Sequence, residues 1–220
     1  MNVPDTIIVI VLAYLLGSIP TSVWIGKMFH KIDIRQHGSG NAGASNTIRV
    51  LGWKTGIPVL IIDLAKGWSA AMLPIFFHMA DAGTALFTNL QILAGIMAIL
   101  GHIFPVFAGF RGGKGVATVF GALLAIQPLL TVCCMGVFLA LLVLTRIVSV
   151  SSISAGIAFP LFLFLFFDTP SVMFKIFSVI IAVGLLITHR KNIGRLLRRE
   201  ESRLFNFRKK NNQVTSGILL

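Results

Sequence analysis

Three short stretches of the chain collect residues suited to binding phosphate. Residues 38–46 read GSGNAGASN, residues 111–115 read RGGKG, and residues 189–192 read HRKN. Glycine lets successive backbone N–H groups converge on one point, and such a nest suits an anion. In the first stretch, Ser39, Asn41, Ser45 and Asn46 add polar side chains to Gly40 and Gly43. Ser45 is placed to cap a helix beginning near Asn46, whose positive end would face the same anion. Arg49 follows Asn46 by three residues and shares its face of such a helix. In the second stretch, Arg111 and Lys114 stand among Gly112, Gly113 and Gly115, so a flexible backbone carries two cations. In the third, His189 and Asn192 share one helix face.

Two familiar nucleotide patterns fail on inspection. Gly38, Gly40 and Gly43 spell G-x-G-x-x-G, but that fingerprint requires a preceding buried strand and an acidic residue about 20 positions on. The preceding KIDIRQH is no such strand, and Asp63 lies inside an apolar run. RGGKG resembles a P-loop, yet position 108 is Ala and position 115 is Gly where glycine and a hydroxyl residue are needed. Phosphate binding survives; the nucleotide does not. Other candidates are His102, at the head of the second loop, and Arg146 and Ser149 in a third loop. Asp63 and Lys66, three apart within one apolar run, read first as an ion pair holding helices together, although ionisable groups inside a membrane are functional candidates by default.

The elements that must position these residues are membrane helices. Of 220 residues, 56% are hydrophobic and 12% charged, about half the charged share of a soluble domain. The net charge of +12 is read as topology and as affinity for anionic substrates, with no nucleic-acid partner inferred. Apolar runs cover residues 5–26, 55–77, 85–107, 116–127, 129–145, 150–167 and 172–188. The fourth is short for a hydrocarbon core of about 30 Å, and fusing it with the fifth through Gln127 and Pro128 would give six spans. Seven spans with the N-terminus outside place every Lys and Arg except Lys66 and Lys175 on the inner side, as the positive-inside rule asks. No Lys or Arg precedes Lys27, so the first run is expected to stay as a membrane span. Cys133 and Cys134 are adjacent within an apolar run and imply neither a disulfide nor a metal site. The expected architecture is an all-α polytopic membrane protein: a seven-span domain over residues 1–194, and a basic, amphipathic cytoplasmic tail over 195–220 suited to an anionic leaflet.

GSGNAGASNTIR, GHIFPVFAGFRGGKGVAT and HRKNIGRL, in this order and separated by apolar spans, closely resemble the motifs of the bacterial acyl-phosphate:glycerol-3-phosphate acyltransferases, the PlsY family. The resemblance runs from about residue 8 to residue 208. It implies a seven-span enzyme of the bacterial inner membrane whose motif loops face the cytoplasm. It implies transfer of a fatty acyl group from acyl phosphate to the 1-hydroxyl of glycerol 3-phosphate, giving lysophosphatidic acid early in phospholipid synthesis. Neither a metal, another cofactor nor acyl-CoA is implied; membrane lipids and functional coupling to the enzyme that makes acyl phosphate are. The first motif usually has Thr where this chain has Ser45, which keeps the hydroxyl. The tail motif often reads Gly-Thr-Glu where this chain has Arg199, Glu200 and Glu201, and Glu201 aligns with the family's Glu.

The residues suit that chemistry. An acyl phosphate has a good leaving group, so positioning and charge stabilisation suffice and no nucleophile is needed. Ser39, Asn41, Ser45, Asn46 and the glycine amides, including Gly40, Gly43, Gly113 and Gly115, are expected to hold the acyl phosphate. Arg49, Arg111, Lys114 and Ser149 are expected to hold glycerol 3-phosphate. His189 and Asn192 would orient the attacking hydroxyl, and either His189 or a substrate phosphate would take its proton. Acyl-CoA-type acyltransferases carry an Asp five residues after a His; none of the five His has one. A transporter would place charge near the midplane of repeated halves, and no repeat is present. A CDP-alcohol phosphotransferase would need clustered aspartates for metal.

Overall fold

A computed structural model describes residues 3–169 and 171–204. Among these residues there are ten α-helices: α1 (Val3–Ser18), α2 (Thr21–His30), α3 (Ala44–Leu51), α4 (Trp53–Phe76), α5 (Ala85–Ile103), α6 (Val116–Ile126), α7 (Pro128–Thr145), α8 (Val148–Phe166), α9 (Val172–Thr188) and α10 (Arg190–Leu197). A helix coincides with each of the seven apolar runs. The first run is broken at Ile19 and Pro20, because proline has no N–H to donate to the preceding turn. Lys66 Nζ donates to the Ile19 carbonyl at 3.0 Å, which also accepts from the Thr21 N–H. α6 and α7 are distinct helices, separated at Gln127, with Pro128 at the first position of α7, where its missing N–H costs nothing.

Five stretches are long and apolar enough to cross a membrane: Val3–His30, Trp53–Phe76, Ala85–Ala108, Pro128–Thr145 and Val148–Phe166. α9 and α10 make a sixth if joined across their 59° bend, and α6 is a shorter apolar helix of 11 residues. Among the described residues the chain is all-helical, with the several apolar helices of a multi-pass membrane protein. Thr84 and Ser171 cap α5 and α9, each side chain accepting from the backbone three residues on.

Packing divides into two regimes. α1, α4 and α5 meet through small residues, Ala13, Ala70, Ala94 and Ala98 among them. Between α4 and α6 the backbones touch: a Cβ on Gly67 would collide with the Thr118 carbonyl, and one on Gly121 with the Leu64 carbonyl. Close approach through small residues is how membrane helices gain contact when lipid removes the hydrophobic drive between them. The α5–α9 half packs large side chains instead, centred on Ile92, Leu130, Phe159, Leu163, Phe174 and Phe177. Large apolar residues such as Ile61, Leu144, Leu165 and Ile180 remain on the outer faces, as lipid contact requires. The residues of 205–220 that the tail expectation includes, Phe205 and Phe207 among them, lie outside the described residues.

Candidate active site

The first loop is built around one side chain. Asn46 is buried, and its Oδ1 accepts from the Ser39 N–H at 2.9 Å. Its Nδ2 donates to the carbonyls of Ile34, His37 and Asn41 at 3.2, 3.0 and 3.1 Å. Asn46 thus folds the glycine loop onto itself, and with Arg49, three residues on along α3, it also lines the cavity described below. The helix also starts earlier than expected. Gly43, not Ser45, is the N-cap of α3, and Ser45 lies in the first turn. The first N–H groups of a helix lack intrahelical partners, so Ala44 and Ser45 present backbone donors at this end.

The second loop hangs from the end of α5. Gly112 and Gly113 N–H donate to the Ile103 and His102 carbonyls, each at 3.1 Å. The His102 ring lies directly beneath the loop: a Cβ on Gly113 would strike its Nε2. Below His102, Asp63 Oδ1 accepts from Lys66 Nζ at 2.9 Å and from Thr21 Oγ1 at 3.1 Å, and lies 3.7 Å from His102 Nδ1. This buried cluster, in which Asp63 and Lys66 form an ion pair, ties α2, α4 and α5 together under the loop, and its Asp63 and His102 also line the cavity described below. Gly115 takes a left-handed φ of 81° to start α6 and leaves Lys114 pointing across to Asn192, to whose Oδ1 it donates.

The bend after α9 brings in the third stretch. Asn192 Nδ2 and Ser149 Oγ donate to Glu201 Oε1 at 2.6 and 3.1 Å, and Arg195 Nε donates to Oε2 at 2.6 Å. Burial pushes the Glu201 carboxyl up, but the hydrogen bonds and charge of Arg195, with those of Asn192 and Ser149, hold it below the usual carboxylate range. Burial pulls the Lys114 ammonium down to about 8, against the pull of Glu201 and with the help of Arg195 and Arg49. Burial lowers the Arg49 guanidinium likewise, and its Nε is buried without a hydrogen-bond partner. His189 lies just past α9, its Nδ1 2.9 Å from the Leu185 carbonyl. Burial first, then Lys114, holds this imidazole down to about 4.

These groups line one cavity of about 370 Å³. Its head holds Arg49, Lys114, Ser149, His189, Asn192 and Glu201, beside Ser39, Asn41, Gly43, Ser45 and Gly115. Its body is apolar, walled by Trp53 and Leu60 of α4, Phe120 of α6, and Phe138, Leu139 and Leu142 of α7. Not every expected residue is there. Arg111 is exposed on the outside of its loop, and Arg146 is an exposed left-handed residue ending α7, whose carbonyl accepts from Leu204 N–H at 2.7 Å. Their charge pointed to the site; their side chains do not line it. Gly40 and Gly113 support the loops from outside the cavity wall. Arg195 was missed, although it follows Asn192 by three, a spacing that puts the two on one helix face. α10 runs across residue 194, and Arg195, Glu201, Ser202 and Leu204 beyond it line the cavity.

The cavity is amphiphilic, cationic at its head and apolar in its body, and lies within a multi-pass helical bundle, the setting of an integral membrane protein with a polar site at one end. The model of the family described as glycerol-3-phosphate acyltransferase matches residues 7–199. Two proteins named glycerol-3-phosphate acyltransferase, from Chlorobium luteolum and Chlorobaculum tepidum, are each 44% identical to the chain; the alignments cover 89% and 92% of it, and 95% and 97% of the relatives. A crystal structure of PlsY, an integral membrane glycerol 3-phosphate acyltransferase in its glycerol 3-phosphate form, superposes with a TM-score of 0.82 at 36% identity, covering 91% of this chain and 96% of that one. A second, in its lysophosphatidic acid form, gives 0.78 at 35%. The chain belongs to the glycerol-3-phosphate acyltransferase family.

Proposed function

We propose that this protein transfers a fatty acyl group from acyl phosphate to the 1-hydroxyl of sn-glycerol 3-phosphate, releasing lysophosphatidic acid and phosphate. The observation that carries the reading is the cavity itself. Its head offers Arg49, with an unpartnered buried Nε, beside Lys114, and its body offers an apolar slot for a chain. Both substrates bring a phosphate, and one brings a hydrocarbon tail.

In this reading the N–H groups opening α3, with Ser39, Asn41 and Ser45, hold the acyl-phosphate group, while Asn46 holds the loop that presents them. Arg49, Lys114 and Ser149 hold glycerol 3-phosphate, which displaces or shares the donors now engaged by Glu201. Asn192 and His189 orient the 1-hydroxyl. The hydroxyl oxygen attacks the acyl carbonyl carbon, the carbonyl–phosphate C–O bond breaks, and the proton goes to a phosphate oxygen. His189, held down to about 4, is a weak base, which favours the phosphate as acceptor. Seven spans are proposed, α6 being the short fourth, with the N-terminus outside and the site at the cytoplasmic face of a bacterial inner membrane, supplied by an acyl-phosphate-producing enzyme.

Purified protein should form lysophosphatidic acid from glycerol 3-phosphate and acyl phosphate, and not from acyl-CoA. Product from acyl-CoA alone would overturn the donor assignment. No product from either would overturn the acyl-transfer reading. Cysteine labelling of residue 81 from outside and residue 112 from inside tests the topology.

A further inference from the structure

Arg35 sits outside the cavity yet grips the loop that enters it. One edge of its guanidinium is held by Asp33, with Nε donating to Oδ1 at 2.9 Å and Nη2 to Oδ2 at 2.7 Å. The Arg35 N–H also donates to Asp33 Oδ1 at 3.0 Å, so both residues are fixed on one short turn. The remaining nitrogen, Nη1, donates to the Ala108 carbonyl at 2.7 Å and reaches the Arg111 carbonyl at 3.4 Å. Those two carbonyls bracket Gly109 and Phe110, which have φ of 63° and 59°. Two successive left-handed residues make a sharp turn, and the second carries a large, exposed side chain that disfavours that conformation. Strained backbone of this kind persists only where its surroundings over-determine it. Directly after it come Gly112 and Gly113, which hang on α5, and then Lys114.

We propose that Arg35 is a positioning residue for the phosphate loop: braced by Asp33, it clamps the left-handed Gly109–Phe110 turn and thereby presets the RGGKG backbone to receive glycerol 3-phosphate. The inference rests on the reading that Lys114 and its loop bind that substrate. A loop that is only partly preset binds its ligand more weakly in proportion to the competent fraction, and a bound ligand restores it. Loss of the clamp therefore raises KM and leaves kcat near its original value.

The test measures Kd for glycerol 3-phosphate by calorimetry on detergent-solubilised protein, alongside KM and kcat. In Arg35→Ala, Kd and KM should rise about tenfold while kcat stays within about twofold. Arg35→Lys should recover little, because an ammonium cannot hold the carboxylate in two places and the carbonyls as well. Arg35→Ala combined with Phe110→Gly should recover most of the affinity, since glycine adopts positive φ without the clamp. A general loss of stability, or a direct contact between Arg35 and the ligand, would not be rescued that way. Unchanged Kd in Arg35→Ala, a fall in kcat at constant KM, or absence of rescue by Phe110→Gly would each overturn the inference. Failure of the unaltered protein to bind glycerol 3-phosphate would instead overturn the site reading on which it rests.

Discussion

Lys114 is held as a cation in a place that opposes its charge, so replacing it should make the protein more stable and inactive. The drop from 10.5 to about 8 corresponds to roughly 3 kcal/mol at about 1.4 kcal/mol per pH unit. The sign follows from the depressed folded value: below about pH 8 the fold carries the full cost of the ammonium, and the cost fades as pH rises toward 10.5. Lys114→Met removes that cost and keeps the length of the side chain. It also loses the hydrogen bond to Asn192, a loss of about 1 kcal/mol. The net is a gain of roughly 2 kcal/mol at pH 7, or about 4–8 °C in Tm for a chain of this length. Activity moves the other way. A phosphate charge about 4 Å from the ammonium is attracted by about 4 kcal/mol at an effective dielectric of about 20, so kcat/KM should fall roughly 1,000-fold. Thermal unfolding in detergent at pH 7 and pH 10, with turnover measured beside it, checks both halves, and the Tm gap should narrow at pH 10. A variant that is less stable at pH 7 would refute the charge argument. One that retains full activity would refute the phosphate role.

Because Lys114 is cationic only below about pH 8, kcat/KM should fall on an alkaline limb near that value, and Lys114→Arg should carry the limb upward; a limb that stays in place belongs to another group. Asn46→Ala breaks four hydrogen bonds that fold the first loop and should cost about 2–4 kcal/mol, read as a lower Tm together with weaker substrate binding. Gly121→Leu should prevent a monodisperse preparation by gel filtration, because it forces α6 off α4. Gly136→Ala, where an added Cβ meets nothing within 4 Å, should behave like the parent protein.

The helical bundle is legible in the sequence because lipid demands long apolar runs and admits few interruptions. Proline marks two of the real breaks, before Thr21 and at Pro128. The two glycine loops are legible for a related reason: Gly38–Asn46 and Arg111–Gly115 are polar islands whose residue types have few uses other than anion binding. What residue type does not disclose is direction. Arg111 and Lys114 stand in one loop, yet only Lys114 lines the cavity, because Gly112 and Gly113, hydrogen-bonded to the end of α5, turn the backbone between them. Asn46 reads as a ligand group from its type; the fold adds that its amide also ties the loop through Ser39 N–H and three carbonyls while it lines the cavity. Arg195 and Glu201 enter the site through the 59° bend after α9, a tertiary event without a local signature. The family resemblance located Glu201; only the fold shows that Ser149, Asn192 and Arg195 converge on it.

The two ends of the cavity face different surroundings. Its head lies among charged loops, where water delivers solutes, whereas Leu60 and Leu139 on its wall are also exposed on the lipid-facing surface of the bundle. One reactant is then counted per volume of water and the other per area of membrane. Adding inert detergent or lipid at a fixed amount of acyl donor should slow the reaction by thinning the donor in two dimensions, while the dependence on glycerol 3-phosphate keeps its ordinary bulk form.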